Sequence, residues 1–288
     1  MDHIRKALEK SQSDARSVRD WMQPVGNQPA APVAPSAPPP ATGPVEAPPE
    51  RNLILDKQLL IENNVVTAAN ESNAVVDRYR LLRTRVRQAM KPNGWSVLGL
   101  TSPTPKAGKT LTTLNLAITM AQAENHQVVV VDADLRLPSI APTLGINVKQ
   151  GLVDYLRGDV ALPDIYQCPT DFPNLTLIPG RATNDLEHPS ELLNSKRFDS
   201  MIRGLRSAGE TTTVIVDTPP VYLGDDVLAI APKLDCMILV FEEGVTTSEE
   251  IQETARMLTN YNLIGSVLNK SSEKPRKFES YYQSAGGR

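Results

Sequence analysis

The spacing of apolar positions changes several times along the chain, and each change marks an element. From residue 96 onward, short continuous apolar runs alternate with longer stretches of helical periodicity. Runs at 96–101, 128–131, 175–178, 213–216, 237–241 and 264–268 have the length and branched-aliphatic content of buried strands. Between them, 109–123, 190–205 and 248–258 read as helices, and a short helix opens at 152–156. In the first, Leu111, Leu114, Ala117, Ile118 and Ala121 form an inner face, and Asn125 and His126 fit its end. Continuous apolar strands separated by helices predict an α/β fold with a mostly parallel, doubly wound sheet covered on both faces.

The chain before residue 96 has a different pattern. Residues 74–90 predict a helix with Val76, Tyr79, Leu82 and Val86 on one side and basic residues on the others. Residues 52–67 carry three short apolar runs and predict an arm packed on the domain. Residues 21–50 hold ten of the 24 prolines, interleaved with alanine. Such a segment predicts a disordered, extended tether rather than a packed element. Residues 1–20 predict a short helix whose stripe Ile4, Ala7 and Leu8 either docks a partner or frays. The expected organisation is therefore a helix at 1–20, a linker at 21–50, a folded domain at 51–270 and a flexible tail at 271–288.

Composition narrows the function. The 288 residues are 40% hydrophobic and 22% charged, ordinary for a globular protein. A net charge of -3 argues against nucleic acid as a main partner. The two cysteines, Cys168 and Cys236, sit among apolar neighbours and read as buried hydrophobes. No apolar run approaches the ~20 residues that span a bilayer. Residues 1–20 lack a signal-peptide core. The expected compartment is the cytoplasm.

Three segments carry candidate chemistry. Residues 98–110 (LGLTSPTPKAGKT) run from a strand through a loop into a helix, the arrangement that presents backbone N–H groups and a helix dipole to phosphate. Lys109 can reach the β- and γ-phosphates, and Thr110 offers a hydroxyl to Mg²⁺. The general pattern G-x-x-x-x-G-K-[ST] wants glycine where Pro103 sits, so this is a deviant Walker A loop. Residues 128–138 (VVVVDADLRLP) place Asp132, Asp134 and Arg136 at alternate positions where a buried strand ends. In an open parallel sheet the ligand crevice lies at that end. Two carboxylates there can hold Mg²⁺, or one can take a proton. Residues 213–220 (TVIVDTPP) end a third strand on Asp217, the Walker B pattern.

Together these residues resemble the bacterial tyrosine kinases of capsule and exopolysaccharide synthesis, and the short helix and Pro-rich tether that precede the domain look like the subgroup encoded beside exosortase-type export systems. The matching features are the P-loop without its first glycine, the D-x-D-x-R strand end at Asp132, Asp134 and Arg136, and Asp217. Asp77, Arg80 and Arg83 look like the family's E-x-x-R-x-x-R oligomerisation helix, with aspartate for glutamate. Segments 151–158, 188–193 and 265–269 also look like family segments, and the likeness covers about 53–270. Two features depart. Lys106 stands where the family commonly has glycine, and only Tyr281 and Tyr282 represent the family's tyrosine-rich tail.

The resemblance implies an ATP-dependent protein-tyrosine autokinase, using Mg²⁺, that regulates polysaccharide polymerisation and export. Pro105, Lys106, Ala107, Gly108, Lys109, Thr110, Leu111 and Asn269 would bind the nucleotide. Thr110, Asp132 and Asp217 would hold the metal. Asp132 would assist the acceptor hydroxyl, and Asp134 would support the metal or orient Arg136. The sequence does not choose between the two aspartates as base. Tyr281 and Tyr282 would be phospho-acceptors presented to a neighbour in a homo-oligomer. A membrane chain-length determinant (polysaccharide copolymerase) would recruit the chain to the inner face of the plasma membrane. Two alternatives stand beside this reading. One is a partitioning-type switch ATPase, which carries a signature lysine where Thr104 stands. The other is a non-catalytic nucleotide-binding scaffold, in keeping with the thin tail and Lys106.

Overall fold

The strand that ends in the glycine-poor loop, β1 (Val97–Thr101), is buried at every position, which only a central strand covered on both faces allows. The computed structural model describes residues 53–67, 74–209 and 211–272. The helix expected over 1–20, the tether and the two tail tyrosines lie outside the described residues. Beside β1 run β2 (Gln127–Asp132), β3 (Leu175–Ile178), β4 (Thr212–Asp217), β5 (Cys236–Glu242) and β6 (Leu263–Asn269). They form one sheet in the order β3-β2-β4-β1-β5-β6, and each neighbouring pair is parallel. The order reverses direction around β1 and β4, so a crevice opens at the C-terminal ends of those strands.

Period-two alternation divides each strand between two cores. Leu98, Leu100, Val128, Val130 and Ile215 face one layer. That layer holds α1 (Lys57–Glu62), α2 (Ala74–Met90), α3 (Lys109–Ala121) and α4 (Ile140–Leu144). Val97, Val129, Val131, Val214 and Val216 face the other. There lie α5 (Leu152–Arg157), α6 (Pro189–Leu193), α7 (Lys196–Arg206) and α8 (Asp226–Ile230). A smaller cluster joins Met237, Leu239 and Phe241 of β5 to Leu258, just past α9 (Ser248–Met257). The sheet is thus doubly wound.

Helix α3 is buried on nearly all sides because α2 lies across it. Its buried Asn115 takes a 2.8 Å hydrogen bond from Val66 N–H and donates at 3.1 Å to the Asn64 carbonyl, which fastens the arm. Arg83 donates to the Thr119 carbonyl at 2.7 Å, and Arg80 pairs with Asp77 in the same helix at 3.1 Å. The first contact ties α2 to α3. The second is exposed and worth only a few tenths of a kcal/mol.

One expected helix is two. The stretch 190–205 breaks at Asn194 and Ser195, where Asn194 ends α6 and the Ser195 hydroxyl accepts from Phe198 N–H to start α7. A serine cap satisfies an otherwise unpaired helix-start N–H and outweighs continued periodicity.

Candidate active site

The P-loop joins β1 to α3, and its geometry follows from two residues with left-handed backbone. Gly108, the residue before α3, has φ +89°, and a Cβ there would lie 1.9 Å from the Asn269 side-chain amide. Glycine is therefore required by conformation and by space. Asn269, at the end of β6, donates to the Ala107 carbonyl at 2.9 Å and so holds the loop from the neighbouring strand end. Lys106 has φ +66°, the left-handed region that favours glycine. Its side chain is exposed, while its carbonyl accepts from Lys270 Nζ at 2.8 Å. Pro105 is exposed beside it, and Leu111 is partly buried one turn into α3.

A non-glycine residue in this region carries ~1–2 kcal/mol of strain. Glycine gains ~0.4–1 kcal/mol of unfolded-chain entropy in return. Lys106→Gly is expected to raise stability by ~0.5–1 kcal/mol, a melting shift of about 2–4 °C, with nucleotide affinity unchanged within about threefold. Calorimetric melting and equilibrium titration check both.

Six side chains converge at the crevice. Lys109 Nζ lies 2.7 Å from Asp217 Oδ1 and 3.7 Å from Asp134 Oδ2. Thr110 Oγ1 donates to Asp217 Oδ2 at 2.7 Å, and Thr113 Oγ1 to Oδ1 at 3.3 Å. Asp132 and Asp217 stand opposite each other in the β2–β4 register, and both are fully buried. Asp132 Oδ2 accepts from Ser139 N–H at 2.9 Å and Ile140 N–H at 3.0 Å. Gly180, after β3, closes this side: a Cβ there would meet Pro138 Cβ at 2.5 Å and Asp132 Cγ at 3.3 Å.

Three carboxylates around one ammonium leave two uncompensated negative charges when all are ionised. The protein answers with raised proton affinity. Burial, and then repulsion from Asp217, push the Asp132 carboxyl up to about 7. Burial also raises Asp134, opposed by Lys109 and by the 3.1 Å bond from Leu137 N–H. Asp132 Oδ1 is buried without a hydrogen-bond partner among the described residues. A divalent cation would satisfy that oxygen and the excess charge together, and carboxylate and hydroxyl oxygens suit Mg²⁺. Among the described residues no three His, Cys, Asp or Glu side chains converge closely enough to hold a bare ion. Mg²⁺ here thus calls for the oxygens of Thr110, water or phosphate as well.

Asp132, Asp134, Lys109, Thr110 and Asp217 are brought together, but Arg136 is not. β2 ends at Asp132, so period-two alternation stops there. Arg136 turns to Asp226 at the start of α8, with Nε–Oδ2 2.5 Å and Nη2–Oδ1 3.3 Å. This corrects the expectation that all three D-x-D-x-R side chains share one side. The sequence alone does not single out Asp226, Gly180 or Asn115. Asp226 does carry a signal, an acidic pair at 225–226 before a short apolar run, which marks a helix start.

Comparisons with known proteins agree with this geometry. The family described as the CobQ/CobB/MinD/ParA nucleotide binding domain matches residues 98–286. The EpsB protein of Ralstonia solanacearum is 32% identical over 216 residues, 74% of this chain. The chain spans only 28% of that relative. Tyrosine-protein kinase CpsD of Streptococcus agalactiae is 30% identical over 198 residues, covering 68% of this chain and 82% of the relative. The kinase domain of the Escherichia coli tyrosine kinase ETK superposes with a TM-score of 0.65 at 25% identity, covering 81% of this chain and 88% of that one.

Proposed function

Because the chain belongs to the CobQ/CobB/MinD/ParA nucleotide-binding family and, within it, to the bacterial tyrosine-protein kinases, we propose that it transfers the γ-phosphoryl group of ATP to tyrosines of its own tail, Tyr281 and Tyr282. The observation that carries this reading is the buried cluster of Lys109, Asp132, Asp134 and Asp217 at the mouth of a P-loop.

The P-loop N–H groups at the start of α3 receive the phosphates, as helix starts do. Lys109 moves its charge from Asp217 to the β- and γ-phosphates. When bound, Mg²⁺ supplies neutralisation of phosphate charge, with Thr110, Asp132 and Asp217 as its protein ligands. The tyrosine oxygen forms a bond to the γ-phosphorus, and the bond from that phosphorus to the β–γ bridging oxygen breaks. ADP leaves with the bridging oxygen, and the phenolic proton passes to a carboxylate. Asp132, which faces Asp217 across the β2–β4 register, is the carboxylate assigned to that task. Catalysis in such reactions is mostly positioning and charge neutralisation.

Among the described residues no helix is long and apolar enough to cross a membrane. A membrane chain-length determinant, the partner that the family resemblance implies, would bring the kinase to the inner membrane face, where it would regulate capsule or exopolysaccharide export. Arg80 and Asp77, paired on the exposed side of α2, are the groups that would re-pair between subunits of a ring. The switch-ATPase reading is weakened by Thr104, where those proteins carry lysine.

Tyr281→Phe with Tyr282→Phe is expected to remove more than about 90% of autophosphorylation while ATP affinity stays within about twofold. Mass spectrometry of the protein after incubation with ATP and Mg²⁺ reads the first, and titration with a fluorescent nucleotide the second. Undiminished phosphorylation of the double variant would refute the tail as acceptor.

A further inference from the structure

Asp226 is 2% exposed, yet it lies outside the cluster that handles phosphate. Both of its oxygens hold the Arg136 guanidinium, a bidentate pairing that fixes direction as well as distance. The two residues belong to different segments of the chain. Arg136 is in the segment between β2 and α4 that also carries Asp134 and the two amides holding Asp132. Asp226 begins α8, after the segment that leaves Asp217 and hydrogen-bonds to the P-loop through Val221 N–H to Ser102 O at 2.8 Å and Tyr222 N–H to Pro103 O at 3.1 Å. The pair therefore ties the loop bearing Asp132 and Asp134 to the loop that follows Asp217.

We propose that Asp226 is a positioning residue for the metal-binding carboxylates, acting through Arg136, which it holds so that residues 132–140 keep Asp132 and Asp134 aimed at Lys109 and Asp217. The proposal rests on the nucleotide-binding reading of the site but not on tyrosine as the acceptor. Two features separate this role from a general contribution to folding. Arg136 is 41% exposed, so losing Asp226 leaves its charge hydrated rather than stranded. An Asp226→Asn change would also keep the volume of the buried side chain. The fold should survive the change, and the loop should lose its aim.

The test is metal dependence of nucleotide binding, read with a fluorescent ATP analogue in the full-length protein. Asp226→Asn is expected to raise the Mg²⁺ concentration for half-saturation about tenfold, in line with the roughly 10–100-fold effects of residues that orient metal ligands. Nucleotide affinity measured in EDTA should stay within about twofold, and the melting temperature should fall by only a few degrees. Arg136→Gln should reproduce the shift, and the double variant should show no further one. Asp226→Glu should recover part of it.

Three outcomes overturn the proposal: an unchanged Mg²⁺ requirement, an equal loss of binding in EDTA, or additive effects in the double variant. The last would mean that Asp226 acts by its charge alone, since that influence does not pass through Arg136. If no nucleotide binds the wild type at all, the underlying reading of the site fails, and this inference fails with it. If nucleotide binds but no tyrosine is labelled, only the acceptor assignment fails.

Discussion

Lys109→Met is expected to lower tyrosine phosphorylation at least about 100-fold. Among the described residues the Lys109 ammonium is the positive charge that reaches both Asp134 and Asp217, and a single preorganised charge-stabilising donor is worth roughly 10²–10³ in rate. The same change strands Asp217 with the Thr110 and Thr113 hydroxyls. Breaking a buried ion pair costs ~3–5 kcal/mol, so the variant should also melt about 5–15 °C lower, and activity must be assayed below that transition. Lys109→Arg separates charge from shape. It keeps the charge but brings a planar fork in place of a compact ammonium, and at least a roughly tenfold loss should remain. Initial rates and melting curves of both variants decide the matter. Retention of wild-type rate by Lys109→Met would remove Lys109 from the mechanism.

Asp132→Asn is expected to make the nucleotide-free protein more stable while removing its activity. Asp132 titrates near 7 in the fold against an ordinary value of 3.8. Below about pH 4 the carboxyl is protonated in both the folded and unfolded chain. Between about pH 4 and 7 the unfolded chain has released the proton and the folded chain still holds it. Stability therefore falls as pH rises through that window and levels off above about 7. The loss is on the order of 4 kcal/mol. Asparagine escapes it, because its amide oxygen keeps the Ser139 and Ile140 donors and carries no charge. At pH 8 the variant should melt about 5–10 °C higher than the wild type, and at pH 4 the two should converge. Phosphoryl transfer should drop by roughly 10²–10⁴ with the metal ligand and base removed. The same titration predicts that Mg²⁺ binds the wild type more tightly at pH 8 than at pH 6, since metal displaces the Asp132 proton. Calorimetry across pH and Mg²⁺ titrations at the two pH values check these effects.

The sheet is legible in the sequence because both of its faces are covered, which turns each strand into a continuous apolar run such as 128–131 or 213–216. Asp132 and Asp217 are legible for the same reason: a carboxylate directly after such a run has no role in the core. Features that depend on backbone conformation or on remote partners are not. The chain gives no sign that β2 stops at Asp132, so its spacing points Arg136 into the cluster, when the side chain pairs with Asp226, ninety residues away. Nothing in the sequence shows that Lys106 takes up left-handed backbone. The break at Ser195 is hidden because no Gly or Pro marks it and Phe198, Met201, Ile202 and Leu205 keep helical spacing directly after it. Tyr281 and Tyr282 remain sequence-based proposals.

The central claim is that this P-loop delivers phosphate to tyrosine rather than to water. The most direct measurement is incubation of the purified full-length chain with γ-labelled ATP and Mg²⁺, followed by mapping of the label. The mechanism predicts label on Tyr281 or Tyr282 that disappears with Lys109→Met and with EDTA. Release of free labelled phosphate with no labelled protein, or equal labelling of the Lys109→Met variant, would contradict it.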